Sequence, residues 1–129
     1  MRRPVAQAIC VRLPPPISQN MIWRSFIRNG KATTIKSKRY RDWIAQAGEM
    51  IADQNPGRID GWYGIRIKVP AKTRIDLDNV PKAINDALQH YGIIDNDSRC
   101  HNLHVERGSE DVTVVFLIST KGDWKCQEQ

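Results

Sequence analysis

No apolar run in this chain of 129 residues approaches the roughly 18 to 20 consecutive residues that a helix needs to cross a bilayer. The opening stretch MRRPVAQAICVRLPPP has too short and interrupted an apolar part for a secretory signal, so a cytoplasmic address without a membrane partner is expected. Cysteine is scarce, odd in number and widely spaced. Cys10, Cys100 and Cys126 do not suggest a disulfide framework and are expected as reduced thiols. Two metal-binding patterns are also lacking. Cys100, His101 and His104 have no second ligand pair to complete a zinc site. Neither Asp76-Leu77-Asp78 nor Asp95-Asn96-Asp97 is followed by the ligands and glycine of a calcium loop. Internal repeats and low-complexity segments are absent.

What is present describes a folded protein. Hydrophobic residues make up 40% and charged residues 26%, near globular averages, so neither disorder nor a fibrous architecture is indicated. The length suits one domain over residues 1–129, with 1–5 and 122–129 expected as loose termini. Charge is unevenly divided along the chain. Residues 1–75 hold 15 Lys/Arg against 4 Asp/Glu, whereas residues 76–129 hold 5 against 10. The basic excess upstream favours a polyanionic partner, most simply nucleic acid, over the plain alternative of a solvated basic surface.

Hydrophobic periodicity outlines an α+β fold: a small mixed sheet packed by two main helices, a mixed α/β sandwich. Ile9, Val11 and Leu13 alternate with polar or small residues in a first strand that Pro14, Pro15 and Pro16 end. Through its prolines, LPPPISQN should be a rigid connection that places Ser18, Gln19 and Asn20 at a fixed exit from the strand. From Arg24 to Arg41 there are seven basic residues and no acidic one, interrupted by the turn signal Asn29-Gly30, which suggests a hairpin or a long loop. Ser37 can cap a helix to about Gln54, with Tyr40, Trp43, Ile44, Ala47 and Ile51 on one face. At that spacing Tyr40 and Trp43 read first as core. A second strand holds Ile65, Ile67 and Val69. A second helix fits Val80–Tyr91, with Val80, Ile84, Ala87, Leu88 and Tyr91 opposite Lys82, and with Lys82, Asn85, Asp86 and Gln89 on its polar side. A last strand, Val112–Ile118, is apolar enough to be covered on both faces.

The acidic residues concentrate in RIDLDNVPKAINDALQHYGIIDNDSR. In extended chain, Asp76 and Asp78 would point to one side and Ile75 and Leu77 to the other. Two carboxylates held together repel unless a cation neutralises them, and all-oxygen ligands suit Mg²⁺ or Mn²⁺. Asp97 can add a third carboxylate if the chain after the helix folds back. Lys82 and Asp86, four residues apart, would lie on one helix stripe facing phosphate. The plain alternative for DLDN is a turn that caps the next helix.

DLDN followed by Lys82, then NDAL and an acidic group after a glycine, resembles the RusA family of Holliday-junction resolvases. Weaker likeness comes from PPPISQN and from KSKRYRDW. The resemblance implies a Mg²⁺-dependent endodeoxyribonuclease, with Mn²⁺ substituting, in which Asp76, Asp78 and Asp97 hold metal, Lys82 is catalytic and Asp86 supports it. Asn96 stands where the family has the first acid of a pair, and Asp95 is an extra acid one place earlier, leaving Asp95 as a substitute for Asp97. Glu106, with Arg107 beside it, occupies a position expected to be basic. The candidate DNA-contacting set is Asn20, Arg24, Arg28, Lys31, Lys36, Lys38, Arg39, Lys72 and Arg74, and Trp23, Phe26 or Tyr40 would stack on unpaired bases.

These expectations converge on a dimer that cuts branched DNA, especially four-way junctions, in recombination and repair. A two-fold dimer would offer two sites to a two-fold substrate. The alternatives are a broader branched-DNA nuclease and a junction-binding protein of the same fold without catalysis.

Overall fold

The computed structural model describes residues 2–120. It is an α+β fold whose main elements are β1 (Ala8–Leu13), β2 (Trp23–Arg28), β3 (Lys31–Lys36), α1 (Lys38–Gln54), β4 (Tyr63–Val69), α2 (Pro81–His90), β5 (Cys100–Arg107) and β6 (Thr113–Ser119). The main sheet has the order β1-β6-β4-β5. Its β4–β5 pairing is parallel, and its other pairings are antiparallel. β2 and β3 form a separate two-stranded sheet. None of the described helices is long and apolar enough to cross a membrane.

Apolar periodicity decides which faces meet. Tyr40, Trp43, Ala47 and Ile51 form the buried stripe of α1, and Ala83, Ile84, Ala87 and Leu88 that of α2. Both stripes share one core cluster with Ile9, Val11 and Leu13 of β1, Ile65 and Ile67 of β4, and Val115 and Leu117 of β6. Full burial of each Val, Leu or Ile side chain contributes about 1.5–3 kcal/mol. Ser37 caps α1, its hydroxyl accepting from the Tyr40 amide at 3.0 Å. Asn55 ends the helix in the left-handed region at φ 49°. The Gln54 amide then pairs with both backbone groups of Arg12, at 2.7 Å each, and ties α1 to the edge strand β1.

The structure departs from the sequence pattern at β6, at β5 and near the start of the chain. β6 is central but is covered on one face only. The outward side chains Phe116 and Ile118 are 40% and 57% exposed, because both helices contribute to the core on the opposite face. β5 has no strand-like alternation in CHNLHVER and exists because β4 supplies a parallel ladder along it. Residues 2–5, expected to be loose, are tied down. Val5 bridges Arg58, the Arg3 guanidinium donates to the carbonyls of Tyr91 and Pro56, and Arg58 donates back to the Arg3 carbonyl. The expected loose stretch 122–129 lies outside the described residues.

The hairpin is formed, with Asn29 and Gly30 both at positive φ (52° and 77°). This pair of left-handed residues makes the tight turn whose twist matches two antiparallel strands. Ile27 near the hairpin tip is 77% exposed, and Trp23 at its base is 53% exposed. Its base is anchored where Ser37 donates from its backbone to the Ile22 carbonyl and from its hydroxyl to the Met21 carbonyl.

Candidate metal and nucleic-acid site

The acidic motif follows β4 and feeds directly into α2. Asp76 is extended, but Leu77–Asn79 forms one 3₁₀ turn, closed by bonds from the Asn79 amide to the Asp76 carbonyl and from the Val80 amide to the Leu77 carbonyl. The fully extended arrangement expected for DLDN is therefore corrected, because the chain must tighten to enter a helix that starts at Pro81. The segregation survives by this other route. Ile75 and Leu77 pack against the core, while Asp76 and Asp78 are exposed. Asp76 makes no side-chain cap bond, and among the described residues neither carboxylate has a hydrogen-bond or ion-pair partner. The capping role that offered the plain explanation of DLDN is not used.

The polar face of α2 carries the next groups. Lys82 Nζ lies 3.2 Å from Asp86 Oδ1 and 3.7 Å from Asp97 Oδ2. The Asp86 hydrogen bond, followed by its charge, raises the Lys82 pKa above the usual lysine value, and Asp97 adds to the effect. Asp97 is held at this helix by its backbone amide, which donates to Gln89 Oε1 at 2.9 Å. Asn96 caps the short turn that follows, accepting from the Ser98 amide. Asp95 faces elsewhere and accepts the Gly61 amide at 2.8 Å. The two candidates for the third acidic position thus sit in different surroundings: Asp95 secures a distant turn, and Asp97 faces Lys82.

Among the described residues, no three His, Cys, Asp or Glu side chains are grouped closely enough to hold a metal ion. The carboxylate of Asp97 is engaged with an ammonium group and is not gathered with Asp76 and Asp78. The donor chemistry nevertheless suits a hard divalent cation: three carboxylates, two of them exposed and unpartnered among the described residues.

The basic set is sorted by its partners. Arg28, Lys31, Arg39, Lys72 and Arg74 are exposed and have no ion-pair partner among the described residues, and Arg24 lies over the Phe26 ring at 5.7 Å. Asn20 is exposed in the turn after the prolines, its backbone amide donating to the Ser18 hydroxyl. Lys38 pairs with Asp42 at 2.8 Å. Lys36 lies over two rings, 4.7 Å from Trp23 and 4.6 Å from Tyr40. Tyr40 and Trp43 are buried core residues, as their spacing predicts. The Tyr40 hydroxyl is pushed up to about 12, first by burial and then by the neighbouring Asp86.

Two supporting residues escaped sequence reasoning. Asn85, assigned to the polar helix face, is buried and accepts the Tyr63 hydroxyl at 2.6 Å, while its amide donates to the Pro81 carbonyl. The apolar periodicity of α2 gives no sign of a polar residue on the buried side. Arg107 donates to the carbonyls of Thr73 and Ile75 at 2.8 and 2.9 Å, stapling the segment just before Asp76 to the end of β5. Its neighbour Glu106 points to the open sheet face, beside His104 and Lys68. The displaced basic position in the sequence was the available signal for Arg107.

Comparison with known proteins gives a consistent picture. The family model described as Endodeoxyribonuclease RusA matches residues 13–118. A crossover junction endodeoxyribonuclease of Enterobacteria phage HK97 is 35% identical over 102 residues, which cover 74% of this chain and 79% of the relative. One from Aquifex aeolicus (strain VF5) is 28% identical over 110 residues, covering 80% of this chain and 83% of the relative.

Proposed function

The chain belongs to the RusA endodeoxyribonuclease family, and from that premise we propose that it is a Mg²⁺-dependent, structure-selective nuclease that resolves four-way DNA junctions as a homodimer. The observation that carries this reading is the pair of exposed carboxylates at Asp76 and Asp78, unpartnered among the described residues and set at the entrance of the helix that presents Lys82 towards Asp97. Nucleases of this family are metal-dependent. Asp76, Asp78 and Asp97 would hold the ion, with Mn²⁺ able to replace Mg²⁺. When bound, such an ion supplies charge neutralisation at the scissile phosphate and a more acidic water.

The chain's own groups do the rest. The Lys82 ammonium stabilises the negative charge that grows on the phosphate oxygens as water adds to phosphorus and the ester oxygen leaves. Asp86 positions that ammonium from 3.2 Å away. Arg107 keeps the approach to Asp76 in place through two carbonyls. The hairpin and Arg39, Lys72 and Arg74 attract the phosphate backbone without reading sequence. Two-fold pairing of protomers would present two such sites to the matching strands of a four-way junction.

The test is to incubate the protein with labelled four-way junction, flap and plain duplex, with Mg²⁺ or EDTA. Symmetric nicks in the junction only with metal support the proposal. Equal cutting of flap and junction would make it a broader branched-DNA nuclease, and bound but uncut DNA under every metal condition would leave only binding.

A further inference from the structure

Beside the acidic motif lies a groove of about 530 Å³ that the proposed chemistry does not use. Its walls come from three places: Pro15, Pro16 and Ile17 after β1, the α1 residues Arg39, Trp43 and Gln46, and Thr73 and Ile75. Ile75 is the residue immediately before Asp76, so the groove opens next to the candidate metal ligands.

The walls are built before any ligand arrives. The Trp43 indole donates to the Pro15 carbonyl at 2.8 Å, fixing helix to loop, and the prolines restrict that loop. On the other side Arg107 holds the carbonyls of Thr73 and Ile75. A preformed cleft of this size, within the range of about 300–1,000 Å³ typical of small-molecule sites, admits a planar heterocycle with its sugar but not a duplex. The lining combines apolar surface from Ile17, Ile75 and the half-exposed Met21 with the polar side chains of Ser18, Arg39, Asp42, Gln46 and Thr73. Asp42 is paired with Lys38, and the hydroxyls of Ser18 and Thr73 accept from backbone amides, whereas Arg39 and Gln46 have no hydrogen-bond or ion-pair partner among the described residues. A glutamine amide offers a donor and an acceptor side by side, which is what the edge of a nucleobase matches. Arg39 at the same groove and the exposed Lys72 and Arg74, next to Thr73 and Ile75 in the chain, give the positive charge that a sugar–phosphate chain requires.

We propose that this groove receives one unstacked nucleobase of the strand being cut, next to the scissile phosphate, and that Gln46 reads its edge. A branch point supplies such a base at low cost, because unstacking is least expensive where pairing is already interrupted. The groove would therefore select the bases at which a junction is cut, a property separate from recognition of the branch itself. The inference rests on the nuclease reading for its location, and two readouts keep the two separable.

The first readout is cutting of a junction library with randomised base pairs around the branch, compared between the wild type, Gln46→Ala and Gln46→Trp, the last filling the groove. Circular dichroism confirms that each variant is folded. The wild type should prefer particular bases at one position, and both variants should flatten that preference by about fivefold or more. Wild-type rates that do not depend on any randomised base, or a preference that survives both substitutions, overturn the proposal. The second readout needs no cleavage: 2-aminopurine is placed in turn at each position beside the branch and its emission is followed on binding in EDTA. A change at one position that Gln46→Trp removes supports the groove, and identical responses from wild type and Gln46→Trp overturn it. If the wild type cuts nothing with Mg²⁺, the nuclease reading fails, and the emission experiment alone decides whether the groove takes a base.

Discussion

Lys82 and Asp97 meet across the gap between the start of α2 and the turn that follows it, with the ammonium 3.7 Å from the carboxylate. Asp86 holds the same ammonium from one helical turn away. The arrangement keeps a cation beside Asp97, and the two carboxylates favour the protonated lysine.

The Lys82 pKa is raised, first by the hydrogen bond to Asp86, so the side chain remains protonated above the pH at which a free lysine titrates. The stabilisation from this ion pair is fully present below the unfolded pKa of about 10.4 and disappears as pH rises through the higher folded value. Asp86→Asn should lower the Lys82 pKa, as measured by the NMR shift of its side-chain carbon. An unchanged titration would mean that Asp86 does not control it. Lys82→Ala should slow junction cutting by about 10²-fold or more.

Asp76→Asn should reduce cutting by about 10³-fold or more while leaving junction binding equal or tighter, because it removes a proposed metal donor and a negative charge from the proposed phosphate site. Gel-shift and cleavage assays on the same preparation check this. Loss of binding together with loss of fold would instead assign Asp76 a structural role.

Arg107→Ala removes both donors from the carbonyls of Thr73 and Ile75. The expected result is slower cutting, with junction affinity much less affected and partial recovery in Arg107→Lys. If affinity falls as far as rate, Arg107 acts on DNA directly and not through the loop.

Replacing Arg24, Arg28 and Lys31 together by alanine should flatten the dependence of log affinity on log salt. Each duplex phosphate that these side chains no longer neutralise should reduce the slope by roughly 0.9, about 2–3 in total. The hairpin on which they stand is exposed and its central pairing is independent of the main sheet, so the fold should persist. An unchanged salt slope would place the hairpin away from the backbone.

Asn85→Ala leaves the buried Tyr63 hydroxyl without its acceptor and should cost about 1–3 kcal/mol of stability in urea denaturation. Tyr63 is shifted upward, first by burial, and Tyr40 likewise to about 12. Raised tyrosine values mean that stability is intact below the unfolded value of about 10 and declines as pH climbs from there. Alkaline denaturation of Tyr63→Phe should show a shallower decline than the wild type.

Much of the candidate site was legible because its residues are close in sequence. Asp76, Asp78, Lys82 and Asp86 lie within one turn and one short helix, so spacing alone places Lys82 and Asp86 on a common stripe. The helices and most of the strands were legible for the same reason: apolar periodicity records which face is buried, and Ser37, Asn55 and Pro81 mark helix ends. The likeness of DLDN and its flanks to one nuclease family was also readable in the chain, and the family match over residues 13–118 agrees with it.

Other features arise from pairings between residues far apart in the chain, which no local pattern encodes. The family likeness favours Asp97 by register and leaves Asp95 as a substitute, and the fold gives the two acids different surroundings: Gly61 presents its amide to Asp95 and Lys82 its ammonium to Asp97. β5 is a strand because β4 lies beside it, and its own side chains do not alternate. Asn85 is buried because Tyr63 reaches it from β4, and Arg107 becomes a staple because the segment before Asp76 passes within reach of its guanidinium. The sequence by itself determined the carboxylates, the lysine and the basic approach, since those are properties of residue type and short spacing. Tertiary structure decided which acid faces the lysine, what holds the motif in place and where a groove opens beside it, because hydrogen bonds and packing form between whatever surfaces the fold brings together.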